Sequence, residues 1–174
     1  MQNKLLDLMK NYRHYHKKKW TVFTHFIGVP LATLAAFIFF GWIKVSVPGL
    51  FTLSVAWVGV ILIGIYYLLL DLVLGAAATI MLVILCAIAS IFTHAGPSAL
   101  SIKLFIIIFV IGWIFQLIGH AIEGKKPALL TNFFESVIIA PFFITAEVFF
   151  MLGYKKELLH AMDADEYSNE DHDK

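Results

Sequence analysis

Four of the chain's seven histidines, His14, His16, His25 and His120, flank long apolar runs, and Glu123 follows the last of them by three positions. Residues three or four apart share one face of a helix, so Gln116, His120 and Glu123 form a polar stripe where an apolar run ends. Ionisable groups at the end of a membrane span are uncommon and are functional suspects first. A bland role also exists, with His120 capping backbone groups and Glu123 pairing with Lys126 at an interface. Whether the stripe does chemistry depends on whether other segments bring it partners.

The elements that could do so lie in a membrane. Hydrophobic residues make up 60% of the 174 and charged ones 14%, well outside soluble composition. Most of the charge sits in the first 19 residues, at Lys125 and Lys126, and after Tyr154. A net charge of +1 offers no basis for nucleic-acid binding, and the lone Cys86 leaves no intrachain disulfide. No cleavable leader is expected, because the basic N-terminal stretch is long, aromatic and followed by a full-length span.

Residues 1–21 read as a cytoplasmic, amphipathic basic arm, with Leu5, Leu6, Leu8, Met9 and Tyr12 turned towards an anionic membrane surface. Residues 22–152 read as an all-α, polytopic membrane helix bundle. Its four full spans are Val22–Ile43, Phe51–Leu70, Leu72–Phe92 and Ile102–Ile122. Gly28-Val29-Pro30 favours a kink in the first, Lys44–Gly49 makes a short turn, and Asp71 caps a tight turn between the second and third. A fifth apolar segment, Phe133–Leu152, carries Glu135, Pro141 and Glu147. The two carboxylates are about 18 Å apart on a helix, so a simple crossing leaves Glu147 deep in hydrocarbon. A bend at Ala140-Pro141 would return it, and the segment is expected to be re-entrant or broken. Residues 153–174 read as an acidic, disordered tail, and His160 and His172 within it are given no chemistry.

A cytoplasmic N-terminus follows from the basic arm. Four crossings then bring His14, His16, His25, His120 and Glu123 to one interface and His94 to the other. Several imidazoles with a carboxylate at one depth suit iron, zinc or copper. His16 and His25 are nine residues apart, about 900° of turn and roughly 13 Å of rise on one helix. If both face one metal, the chain from Lys17 to Thr24 must bend. Paired axial histidines could also hold a heme, although no Cys-x-x-Cys-His occurs. The zinc-protease signature, a phosphate loop and a nucleophile elbow are absent.

Tyr15-His16, His25-Phe26-Ile27-Gly28-Val29-Pro30, Gly112 to His120, Glu123 to Leu129, and Ala140-Pro141-Phe142-Phe143 with Glu147 form an ordered set. The set resembles the membrane-embedded 2-hydroxy fatty-acid dioxygenase family, whose fungal member is an iron-dependent enzyme of phytosphingosine breakdown. The resemblance implies that His16, His25 and His120 are Fe(II) ligands or essential neighbours. It also implies 2-hydroxy fatty acid and dioxygen as substrates, carbon dioxide as a product, and neither 2-oxoglutarate nor heme. Catalysis is expected to rest on His16, His25, His120 and Glu123. Glu147, Gln116, Asp71 and His14 are further candidates to touch the metal or its ligands. Where the family often has asparagine and proline, this chain has Lys17-Lys18-Lys19-Trp20-Thr21, which bears on the shape of the bend. The bilayer of a bacterial inner membrane or the endoplasmic reticulum is the expected host. A small proton-coupled transporter and a heme-bearing membrane subunit are the competing readings of the same His/Glu cluster.

Overall fold

The computed structural model describes residues 2–14, 16, 18–49, 51–124 and 133–162. Its elements are α1 (Gln2–His14), α2 (Lys19–Gly41), a hairpin of β1 (Lys44–Val47) and β2 (Phe51–Ser54), α3 (Val55–Leu70), α4 (Leu72–Thr93), α5 (Ala99–Glu123), α6 (Phe133–Met151) and α7 (Lys156–Met162). The architecture is the expected membrane helix bundle. By length and composition α2, α4 and α5 can each cross a bilayer.

The second expected span starts later than its apolar run does. Phe51–Ser54 pairs antiparallel with Lys44–Val47, Lys44 opposite Ser54, and leaves α3 only 16 residues. Valine, threonine and phenylalanine favour extended backbone. The connection closes at Gly49, whose φ of 77° is open to glycine without strain. What reads as a short turn is therefore a small hairpin.

Lipid tails are as apolar as leucine, so helices in a bilayer associate by close packing rather than by escape from water. Small residues accordingly mark the contacts. A Cβ on Gly28 would lie 3.1 Å from the Gly112 carbonyl, and one on Gly112 would lie 2.9 Å from the Ala32 nitrogen, so α2 and α5 touch backbone to backbone. Gly64 against Thr79 joins α3 to α4, and Gly41 against Thr93 joins α2 to α4. Within α5 only Ser101, Gly112 and Gly119 are buried, while Ile106, Val110, Ile114 and Leu117 face outward.

Three local expectations change. Helix α6 runs unbroken through Pro141. The sharp turn comes later, where residues 137–151 and 156–162 are bent by 115°. The apolar side of α1 does not face lipid: Leu5, Leu8, Met9 and Tyr12 are buried by protein, with α1 packed on α6 and α3. The C-terminal tail begins later than residue 153, because α7 buries Met162 and Lys155 pairs with Asp71 at 2.6 Å. Residues 163–174 lie outside the described residues, as does the loop 125–132.

Residues 139–147 of α6 are buried on every side, the mark of a helix inside a bundle. The side-chain contacts that tie it to α1 and α3 include three near one end of the bundle. Tyr67, a turn before α3 finishes, donates to Ile138 O, Tyr12 stacks near Phe143 with centroids 4.2 Å apart, and Arg13 reaches Glu147 at 3.0 Å.

Candidate metal centre

Chain direction assembles the centre. Helix α2 starts where α5 finishes, and the small-residue contact between them lets side chains one turn from those ends meet. A Cβ on Gly119 would lie 2.6 Å from His25 Cε1 and 2.5 Å from Thr24 Oγ1. Only glycine admits the His25 ring against α5. His16 arrives from the break between α1 and α2, the bend that convergence with His25 demands.

His16, His25 and His120 come together as a group whose ligand atoms all lie within 4.8 Å of one another. Ring centroids are 4.4 Å apart for His16 and His25, 5.3 Å for His16 and His120, and 5.1 Å for His25 and His120. His16 and His25 are buried, and His120 is partly so.

The first two imidazoles are held alike. His16 Nδ1 lies 2.7 Å from Tyr12 O and His25 Nδ1 lies 2.8 Å from Thr21 O, each carbonyl one helical turn back. A carbonyl only accepts, so the network assigns each proton to Nδ1 and leaves each Nε2 with a lone pair. Those two Nε2 atoms face each other at 3.1 Å. Two lone pairs at that distance repel unless a proton or a metal cation sits against them. Among the described residues, His120 Nδ1 is the buried side-chain nitrogen or oxygen without a hydrogen-bond partner. Neutral imidazoles with Nδ1 tied to carbonyls are the donor set a transition metal takes. Burial, and then the neighbouring His25, lower His16 to about 3 against the pull of the Tyr12 carbonyl, so its ring is neutral at pH 7.

Aromatic groups close the site. Tyr12 stacks on His16 with centroids 4.0 Å apart and planes 9° off parallel, and Phe143 packs against both. Burial, then Glu147, push the Tyr12 phenol above its ordinary range.

The remaining candidates divide. Glu123 lies outside the metal-ligand group, and its Oε2 accepts from the Lys18 amide at 3.1 Å and the Thr21 hydroxyl at 2.8 Å. Glu147 is nearly fully buried and bonded to Arg13, which answers the cost of its charge. Gln116 packs against Gly28 at the α2–α5 crossing. Asp71 is the expected cap: its Oδ1 accepts from the amides of Val73 and Leu74, while Lys155 takes Oδ2. The His14 side chain lies outside the described residues. His94 and His160 are exposed and elsewhere. Sequence reasoning passed over Thr21, Thr24, Tyr12 and Gly119. A hydroxyl at i−4 from His25 and a glycine next to His120 were the available signals.

A model of the family described as 2-hydroxy-palmitic acid dioxygenase Mpo1-like matches residues 2–152. The chain is also 32% identical over 165 residues to 2-hydroxy-palmitic acid dioxygenase MPO1 of Saccharomyces cerevisiae, covering 92% of this chain and 90% of the relative. No solved structure gives a significant match.

Proposed function

Because the chain belongs to the 2-hydroxy-palmitic acid dioxygenase Mpo1-like family, we propose that it is an Fe(II)-dependent dioxygenase acting on 2-hydroxy fatty acids. The product is the acid one carbon shorter, with carbon dioxide and water. Oxidising a 2-hydroxy acid in this way yields four electrons, and one dioxygen takes up four, so no 2-oxoglutarate or external reductant enters the balance. The observation that carries the reading is the convergence of His16, His25 and His120, whose ligand atoms lie within 4.8 Å of one another.

His16, His25 and His120 would hold ferrous iron, which would supply the chemistry that joins dioxygen to the 2-hydroxy acid. The protein's own part is positional. The carbonyls of Tyr12 and Thr21 fix two imidazoles in the tautomer that keeps Nε2 free. Tyr12 and Phe143 exclude water from the rings, and the apolar faces of the bundle receive the alkyl chain. A transporter relay would need charged or imidazole groups through the depth of the bundle. The buried ones among the described residues, His16, His25 and Glu147, gather at one end. The basic arm supports a cytoplasmic position for that end, in a bacterial inner membrane or the endoplasmic reticulum.

The test is turnover of 2-hydroxyhexadecanoic acid by purified protein in lipid nanodiscs. Equimolar loss of dioxygen and appearance of pentadecanoic acid, with stoichiometric iron and no Soret band, are expected. Full turnover by metal-free protein, or a strict need for 2-oxoglutarate, overturns the reading.

A further inference from the structure

At the crossing of α2 and α5, two helix ends meet head to tail. The N-cap of α2, Lys18, makes no capping bond with its own side chain, and the first turn of α2 contains no acid. Its amides and the positive end of its dipole need an acceptor from elsewhere. Glu123, the last residue of α5, supplies one: its Oε2 takes the Lys18 amide at 3.1 Å and the Thr21 hydroxyl at 2.8 Å. In return, Lys18 and Thr21 donate to carbonyls in the last turns of α5. The Lys18 ammonium reaches Ile122 O at 2.6 Å, and the Thr21 hydroxyl also lies 3.2 Å from Gly119 O.

This reciprocal clamp sits one turn or less from every histidine of the centre. His120 precedes Glu123 by three residues on the same helix. His25 hangs on Thr21 through the 2.8 Å bond to its carbonyl, which the Thr24 hydroxyl also contacts at 2.8 Å. His16 lies two residues before Lys18, on the stretch whose far end Glu123 holds.

We propose that Glu123 is a positioning residue, working with Thr21 to set the spacing of all three histidines, and that it neither gives nor takes a proton in the reaction. The inference rests on the metal-centre reading above and says how that centre is held open to the right size. Both bonds into Oε2 are accepted by oxygen, so an amide oxygen can take the place of that carboxylate oxygen. A proton-transferring carboxylate cannot be replaced that way.

The experiment compares Glu123→Gln, Glu123→Ala, Thr21→Ser and Thr21→Val in nanodiscs. It reads Co(II) affinity by chelator competition, the Co(II) ligand-field spectrum, and turnover with iron. Glu123→Gln and Thr21→Ser should stay within about fivefold of wild type, the scale of one weakened hydrogen bond. Glu123→Ala and Thr21→Val should lose about 10- to 100-fold in metal affinity, with an altered spectrum. Glu123→Gln that binds Co(II) normally but is inactive makes Glu123 catalytic and ends the proposal. So does Glu123→Ala with wild-type affinity and spectrum. If wild-type protein itself binds no metal, it is the metal-centre reading that has failed. Thermal melts screen for misfolding, and the serine and glutamine variants carry the decision where alanine or valine fails to fold.

Discussion

The two ends of the bundle treat buried polar groups in opposite ways. At the hairpin end, tryptophan N–H groups close neatly on serine hydroxyls, Trp42 to Ser101 at 3.2 Å and Trp57 to Ser90 at 3.0 Å, and the Ser90 and Thr93 hydroxyls back-bond to their own helix. At the other end, two imidazole nitrogens face each other at 3.1 Å and, among the described residues, a third ring keeps a buried nitrogen without a partner. Both ends use the same small-residue packing, so the difference is not one of looseness. At one end these polar groups pair with one another, while the other offers the imidazole nitrogens that the proposed iron would take. Unfinished polar accounting inside a well-packed site is what a ligand centre looks like before its ligand.

The contrast breaks most sharply at the histidines. His16→Ala, His25→Ala and His120→Ala should each abolish turnover and lower iron content beyond the roughly 10- to 100-fold loss expected when only a ligand's hydrogen-bond partner is removed. His94→Ala and His160→Ala should match wild type in both. Iron retained at full stoichiometry in His25→Ala would move the metal elsewhere.

A matched pair of glycines tests whether packing at the two ends serves different purposes. Gly119→Ala puts a Cβ 2.6 Å from His25 Cε1, and Gly41→Ala puts one 2.6 Å from Thr93 Oγ1. Overpacking of this kind costs about 1–3 kcal/mol, so both variants should melt lower. Only Gly119→Ala should also lose metal affinity, because only there does the ring that gives way belong to the centre. Equal metal affinity in the two variants would remove the distinction. A gentler probe of the hairpin end is Trp57→Phe, which deletes one neutral hydrogen bond worth about 0.5–1.5 kcal/mol. It should shift the melt slightly and leave turnover alone.

Much of the centre was legible in the sequence because its constraints are local and periodic. The spacing of His16 and His25 forces a break if they converge, and the break is there, between α1 and α2. Asp71 reads as a cap and is one. What stayed hidden depends on partners far away in sequence. Glu147 reads as a stranded carboxylate until α1 brings Arg13 to it. Thr21 and Gly119 carry no motif and matter only because two helix ends cross. Pro141 reads as the place of the bend in the fifth segment, yet α6 continues through it and the sharp turn comes after Met151. The apolar side of α1 reads equally well as lipid-facing or protein-facing, since composition does not name the apolar neighbour.

The smallest expected effect concerns the strap at the metal end, where Lys155 ties α7 to the turn before α4. Burial alone would raise Asp71, but the hydrogen bond from Lys155, and those from the amides of Leu74 and Val73, outweigh it and hold the carboxyl below its ordinary value. A carboxyl depressed by folding adds stability that is fully present above its unfolded pKa, about 3.9, and that disappears as pH falls through the lower folded value. The pair is partly exposed at the edge of the bundle, so the contribution is screened and local. It should show as hydrogen exchange in α7, not as a change in the global melt. Protection of residues 156–162 is expected to fall in wild type as pH drops below about 3.9. Asp71→Asn, whose amide oxygen can still cap α4 but cannot pair with Lys155, should begin at lower protection and show no such step. Lys155 holds a φ of 55° without being glycine, a backbone cost that its bond to Asp71 helps to offset, so losing the bond also frees that residue to relax. Identical protection in wild type and Asp71→Asn at neutral pH would mean that α7 is held by Met162 and its apolar neighbours alone, and that the ion pair is incidental.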